Sequence, residues 1–188
     1  MRIPVNENDL RYSRTHSAII ESAFSLAEKN GWKKVSVTEL TKMANINRNT
    51  FYLHYETIED VFGKFENEIV EEYHKYLENT PFEQMFGMPV YFETFLKKIK
   101  EKTVRVSKIG RTEYLLLKLQ NEWMDFFENK YLSENLTEKE KILFTQYLSG
   151  IMFVFFSRWV KDPENTSIKE HFAIGTKLVK CLDEISGN

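Results

Sequence analysis

The sequence predicts an all-α protein: a three-helix head at the N-terminus followed by a larger helical body. Three observations carry that prediction. Apolar residues recur at helical spacing in segment after segment, and no stretch alternates apolar and polar residues long enough to build a sheet. Glycine and proline are scarce, at 7 and 4 in 188 residues. Residue pairs that cap helices stand in front of several of the periodic segments.

The first helix is expected from Tyr12 to Asn30, with Ile19, Ala23, Phe24 and Ala27 on one face and Gly31 ending it. Ser36-Val37-Thr38-Glu39 reads as a capping box that opens a helix reaching Ala44. Asn45-Ile46-Asn47 reads as a tight turn, because Asn tolerates the left-handed conformation such a turn requires. Asn47 then caps a short third helix, Arg48 to Tyr55. Thr57 caps a fourth, Ile58 to Asn79, whose apolar face carries Val61, Phe62, Phe65, Ile69, Tyr73 and Tyr76. After a turn-rich break from Thr80 to Pro89, helices are expected at Tyr91 to Ser107 and Thr112 to Tyr131. A second capping box, Thr137 to Glu140, opens a helix reaching Val160. A last helix spans Ser167 to Ile185. The domains expected are residues 1–56 and 57–188.

Composition narrows the function. Charged residues make up 29% and hydrophobic residues 42%, the balance of a folded globular chain. The single cysteine, Cys181, excludes an internal disulfide, and the four histidines are too scattered for a metal site. No cofactor is expected. The N-terminal stretch is polar, and the longest apolar run, Ile151 to Phe156, is far shorter than the roughly 20 residues a membrane helix needs. The expected compartment is the cytoplasm. Residues 1–55 hold eight Lys and Arg against five Asp and Glu, so they carry +3 while the whole chain carries −2. A basic head on an acidic body suits a nucleic-acid reader. No Gly-rich phosphate loop, nucleophile elbow or zinc-binding helix motif is found, so the chain is not expected to be an enzyme.

Ser36–Ala44 and Arg48–Tyr55, joined by a tight turn, make a helix-turn-helix. Val37, Leu40, Ala44, Ile46 and Phe51 are placed to pack under the first helix, which leaves Arg48, Asn49, Thr50, Tyr52 and His54 outside. Arg48 suits guanine and Asn49 suits adenine in the major groove, Thr50 suits a thymine methyl or a phosphate, and Tyr52 and His54 suit phosphates. Ser36 and Thr38, at a helix start, suit another phosphate. The same geometry also occurs in helical proteins that never touch DNA, so a protein-binding adaptor is the alternative reading.

The residues Ser36-Val37-Thr38-Glu39-Leu40, Ala44 to Tyr55 and Thr57 to Phe62 resemble the TetR family of transcriptional regulators. The resemblance centres on Thr50-Phe51-Tyr52 with His54 and Tyr55. It implies a homeodomain-like head reading DNA through Ser36, Thr38, Asn47, Arg48, Asn49, Thr50, Tyr52, His54 and Tyr55. It further implies a ligand-responsive repressor acting as a homodimer on a near-palindromic operator. Three positions depart from the family: Asn45 where Gly is usual, Thr41 where Ala is common, and Ile58 where a phosphate-binding Lys often stands. For the small-molecule pocket, Phe92, Phe95, Ile99, Tyr114, Leu117, Trp123, Phe126, Tyr147 and Ile151 are the candidates, and an aromatic, apolar or planar ligand is favoured. For the dimer interface they are Met152, Phe155, Phe156, Trp159, Leu178, Leu182 and Ile185, since the run from Ile151 to Phe156 is apolar all round its helix.

Overall fold

The computed structural model describes residues 10–81, 84, 89–130, 137–174 and 177. Its elements are α1 (Leu10–Asn30), a 3₁₀ turn η1 (Trp32–Lys34), α2 (Val37–Met43), α3 (Arg48–His54), α4 (Ile58–Asn79), α5 (Pro89–Lys108), α6 (Thr112–Lys130) and α7 (Glu138–Lys161). Residues 168–174 are helical as well. The chain divides into two units: residues 1–68 with 108–111, and residues 69–107 with 112–188. The domain boundary expected at residue 56 falls inside the first of these units. The first half of α4 belongs with the head because Phe62 and Phe65 pack on Phe24, at ring-centroid distances of 5.4 and 4.6 Å.

Local chemistry sets the helix starts. The Ser36 hydroxyl accepts from the Glu39 N–H at 3.2 Å, as a cap should. The Glu39 carboxylate accepts a hydrogen bond from that same hydroxyl, at 2.6 Å, rather than making the expected return bond to the Ser36 N–H. Thr57 and Asp60 cap α4 reciprocally, with N–H bonds of 2.8 and 3.1 Å. Thr137 and Glu140 complete a full capping box on α7. Asn45 stands at φ 52°, the left-handed conformation expected of the turn. The family departure at Thr41 costs little, since its buried hydroxyl donates to the Val37 carbonyl at 2.8 Å. In the first unit, Ile19, Ala23, Phe24, Leu40, Phe51, Val61 and Phe62 are buried.

The second unit is built round aromatic rings. Tyr73 is wholly buried, with Phe95 at 5.3 Å and Phe156 at 5.6 Å. Phe92 meets Phe155 at 5.2 Å. On α7, Phe155, Phe156, Trp159 and Val160 turn inward, whereas Leu143, Tyr147, Ile151 and Val154 are exposed. His74 Nδ1 pairs with Glu122 at 2.5 Å, and Lys98 pairs with Glu72.

The turn at Asn45 yields a prediction. An L-residue without a short polar side chain pays about 1 kcal/mol in this conformation, whereas glycine does not. Asn45→Ala is expected to lower unfolding stability by about that amount and Asn45→Gly to leave it nearly unchanged. Urea denaturation of the two variants checks the order.

Candidate nucleic-acid interface

The helix α3 has seven residues, too few to be stable alone. Its N-terminus is held by Asn47, whose carboxamide oxygen accepts from the Thr50 N–H at 2.7 Å and from the Thr50 hydroxyl at 3.0 Å. Its centre is held by Phe51, which is wholly buried. With that side fixed, Arg48, Asn49, Tyr52 and Leu53 are exposed and Thr50 is half-buried. Arg48 and Tyr52 lie one helical turn apart, and the guanidinium donates to the Tyr52 hydroxyl at 3.3 Å. On α2, Thr38 is exposed, while Ser36 is half-buried and engaged with Glu39.

His54 and Tyr55 are not on this face. His54 is 9% exposed and its ring stacks on Tyr12 at 4.2 Å. Tyr55 is 2% exposed, and its hydroxyl shares a hydrogen bond of 2.8 Å with His16 Nδ1. Both were expected among the DNA contacts, yet both are spent on fastening α3 to α1. Lys64 of α4 completes the fastening. Its ammonium donates to the His54 carbonyl at 3.2 Å and lies 4.9 Å from the Tyr55 ring centroid. A cation there also meets the negative end of the α3 dipole. Tyr12, His16 and Lys64 were missed in the sequence, where nothing local links them to the motif.

Burial, with His16 and Lys64 nearby, holds the His54 imidazole below its ordinary value of 6.5. The same burial holds the Tyr55 hydroxyl protonated. The arrangement therefore presents a short, braced helix with one arginine, one asparagine and one tyrosine outward. Such a helix suits base and phosphate contacts in a major groove.

The residues named for a ligand pocket fall into two groups. Phe92, Phe95, Ile99, Trp123 and Phe126 are buried, whereas Tyr114, Leu117, Tyr147 and Ile151 are exposed. A cleft within the second unit is lined by Tyr73, Leu116, Leu119, Gln120, Trp123, Ser149, Met152, Phe153 and Phe156. It includes Trp123 from the pocket candidates, and Met152 and Phe156 from the interface candidates. Of those interface candidates, Phe155, Phe156 and Trp159 are buried within one chain, and Leu178, Leu182 and Ile185 lie outside the described residues. Among the described residues no cluster of His, Cys, Asp or Glu is placed to hold a metal ion, and no helix is long and apolar enough to cross a membrane.

Residues 19–64 match the family model described as bacterial regulatory proteins, tetR family. The fold is similar to a TetR transcriptional regulator from Streptococcus agalactiae, at 20% identity and TM-score 0.62, covering 89% of this chain and 94% of that one. It is similar to NalD, the secondary repressor of the MexAB-OprM multidrug efflux pump in Pseudomonas aeruginosa, at 16% identity and TM-score 0.58, covering 87% and 94%. It is also similar to the fatty acid degradation regulator FadR from Bacillus halodurans, at 17% identity and TM-score 0.52, covering 85% and 93%. At these identities the likeness establishes the fold. No curated relative matches the chain.

The brace predicts a pH dependence. Well above pH 6.5, the ordinary imidazole value, His54 is neutral whether the chain is folded or not. Below that value the unfolded chain takes up a proton that the folded chain resists, so stability falls as the pH drops toward the lowered folded value. Urea midpoints at about pH 7.5 and about pH 5.5 should differ more for the wild type than for His54→Gln. Equal differences would show that His54 is not the group responsible.

Proposed function

We propose that this chain, a TetR-family transcriptional regulator by its matched head and its fold, represses transcription by binding a near-palindromic operator as a homodimer. The observation that carries the reading is the outward set on α3, where Arg48, Asn49 and Tyr52 are exposed on a helix whose other side is buried through Phe51. Arg48 reads guanine, Asn49 reads adenine, and Tyr52 and Thr38 hold phosphates. Thr50, tied to Asn47, contributes a methyl contact. The repressor role of NalD, which shares the fold, supports repression here.

The homodimer is supported by α7. Leu143, Tyr147, Ile151 and Val154 recur at helical spacing, and all four are exposed, with Tyr147 at 74% and Val154 at 67%. An exposed apolar stripe of this kind marks an interaction surface, and a two-fold axis lets it meet its own copy. This stripe replaces the buried Phe155, Phe156 and Trp159 as the proposed interface.

The effector site is the cleft of the second unit. Its lining carries no formal charge, and the Tyr73 hydroxyl is buried with no hydrogen-bond partner among the described residues. The cleft is closed to about the volume of one water molecule, so an uncharged aromatic ligand that accepts from Tyr73 has to widen it on entry. Occupancy acts on DNA affinity by favouring one of two states of the chain that differ in affinity for the operator. A ligand that raises the melting temperature yet leaves operator affinity unchanged contradicts this part of the reading.

Selection of random duplexes on the purified protein is expected to enrich a two-fold symmetric site with half-sites roughly 34–36 Å apart. On that site, Arg48→Ala and Asn49→Ala should each cost about 1–3 kcal/mol at particular bases, and Tyr52→Ala should weaken binding to all sequences. Ile58→Lys, which restores the family's phosphate contact, should strengthen binding and steepen its log–log salt dependence by about one. Enrichment of no sequence overturns the function. For the dimer, Ile151→Asp combined with Val154→Asp is expected to give a folded monomer in sedimentation equilibrium. A variant that stays dimeric removes α7 from the interface.

A further inference from the structure

An ion cluster lies in the first unit, with Arg111 and Glu66 buried and Glu59 exposed, and one of its members comes from far along the sequence. Arg111, only 2% exposed, closes the turn 109–111 between α5 and α6. Its Nε donates to Glu66 Oε1 at 2.6 Å and its Nη2 to Glu66 Oε2 at 3.3 Å. Its Nη1 donates to Glu59 Oε1 at 2.7 Å. The guanidinium carbon lies 4.4 Å from the ring centroid of Trp32 and 5.4 Å from that of Phe62. Glu66 is wholly buried on α4. Gly110, at φ 78°, supplies the left-handed step in this turn, a conformation glycine adopts without strain.

A carboxylate without solvent is tolerated only when it is fully paired. Arginine suits this place because its planar fork meets a carboxylate with two parallel bonds and still presents a face to aromatic rings. The ring and the carboxylate it touches bracket the reader. Trp32 opens the short segment that leads into α2, and Glu59 stands in the first turn of α4, just after α3. One planar group thus sets the register of the two chain segments on either side of the helix-turn-helix.

We propose that Arg111 is a positioning residue for DNA binding, which holds Trp32 and the start of α4 in register and so fixes the frame from which α3 reads. It touches no DNA. The turn is covalently joined to α5 and α6. The turn is therefore part of the DNA-reading unit, although its segment, 108–111, begins forty residues beyond the end of α4's first half in sequence.

The proposal rests on the DNA-binding reading, and the test separates the two. Three full-length variants are compared with the wild type: Arg111→Met, Arg111→Lys, and Arg111→Met combined with Glu66→Met. Each is measured for melting temperature, for affinity to the duplex selected on the wild type, and for amide hydrogen exchange at residues 32–36 and 58–62. Removing both charges is expected to restore the melting temperature, since an apolar pair of similar volume often replaces a buried ion pair without loss. Operator affinity is expected to stay down by about tenfold, with exchange faster in both segments. Arg111→Lys keeps the charge but loses the fork, and is expected to bind more weakly than the wild type while folding normally. Wild-type affinity in the lysine variant or in the double variant overturns the positioning role, even where Arg111→Met alone fails to fold. If the wild type selects no duplex, the DNA reading fails, and the exchange measurement alone decides the cluster's role: unchanged exchange in the double variant overturns it.

Discussion

A helix of seven residues does not hold its own shape in water, so α3 exists only because its neighbours brace it. The brace has three parts. Asn47 closes the N-terminus of α3, Phe51 anchors its middle, and the stack of Tyr12 on His54 with the His16–Tyr55 hydrogen bond and Lys64 closes its C-terminus. Each part uses a side chain from inside α3 or from its flanking residues. What remains outward is the set a DNA reader needs, and it is outward because the rest is committed inward.

That commitment explains why the same motif contains both exposed and structural residues. Thr50, Phe51, Tyr52, His54 and Tyr55 form one continuous signature, yet only Tyr52 of the three terminal polar aromatics faces outward. His54 and Tyr55 tie α3 to α1. The fastening also has an electrostatic condition: His54 stays neutral beside His16 and Lys64, where a further positive charge would oppose the stack.

Much of the fold was legible because its signals are local. Helix starts depend on residues three apart, so Ser36 with Glu39, Asn47 with Thr50, and Thr137 with Glu140 could be read directly, as could the left-handed Asn45. The outward positions Arg48, Asn49 and Tyr52 followed from helical spacing once Phe51 was assigned to the core. Long-range partners were not legible. Nothing near His54 announces Tyr12, and nothing near Arg111 announces Glu66 and Trp32. The inward and outward faces of α7 were also unreadable from pattern, since the run from Ile151 to Phe156 is apolar all round and periodicity cannot choose between Phe155 and Val154.

The central claim is that Arg48 and its neighbours on α3 enter a major groove. Guanine N7 is exposed there and nowhere else on the duplex. Dimethyl sulfate interference on the selected operator measures the claim directly. The account predicts that methylation of specific guanines at N7 blocks binding by the wild type, and that Arg48→Ala loses the interference at one guanine per half-site. An interference pattern identical in wild type and Arg48→Ala, or one confined to adenine N3 in the minor groove, would contradict it.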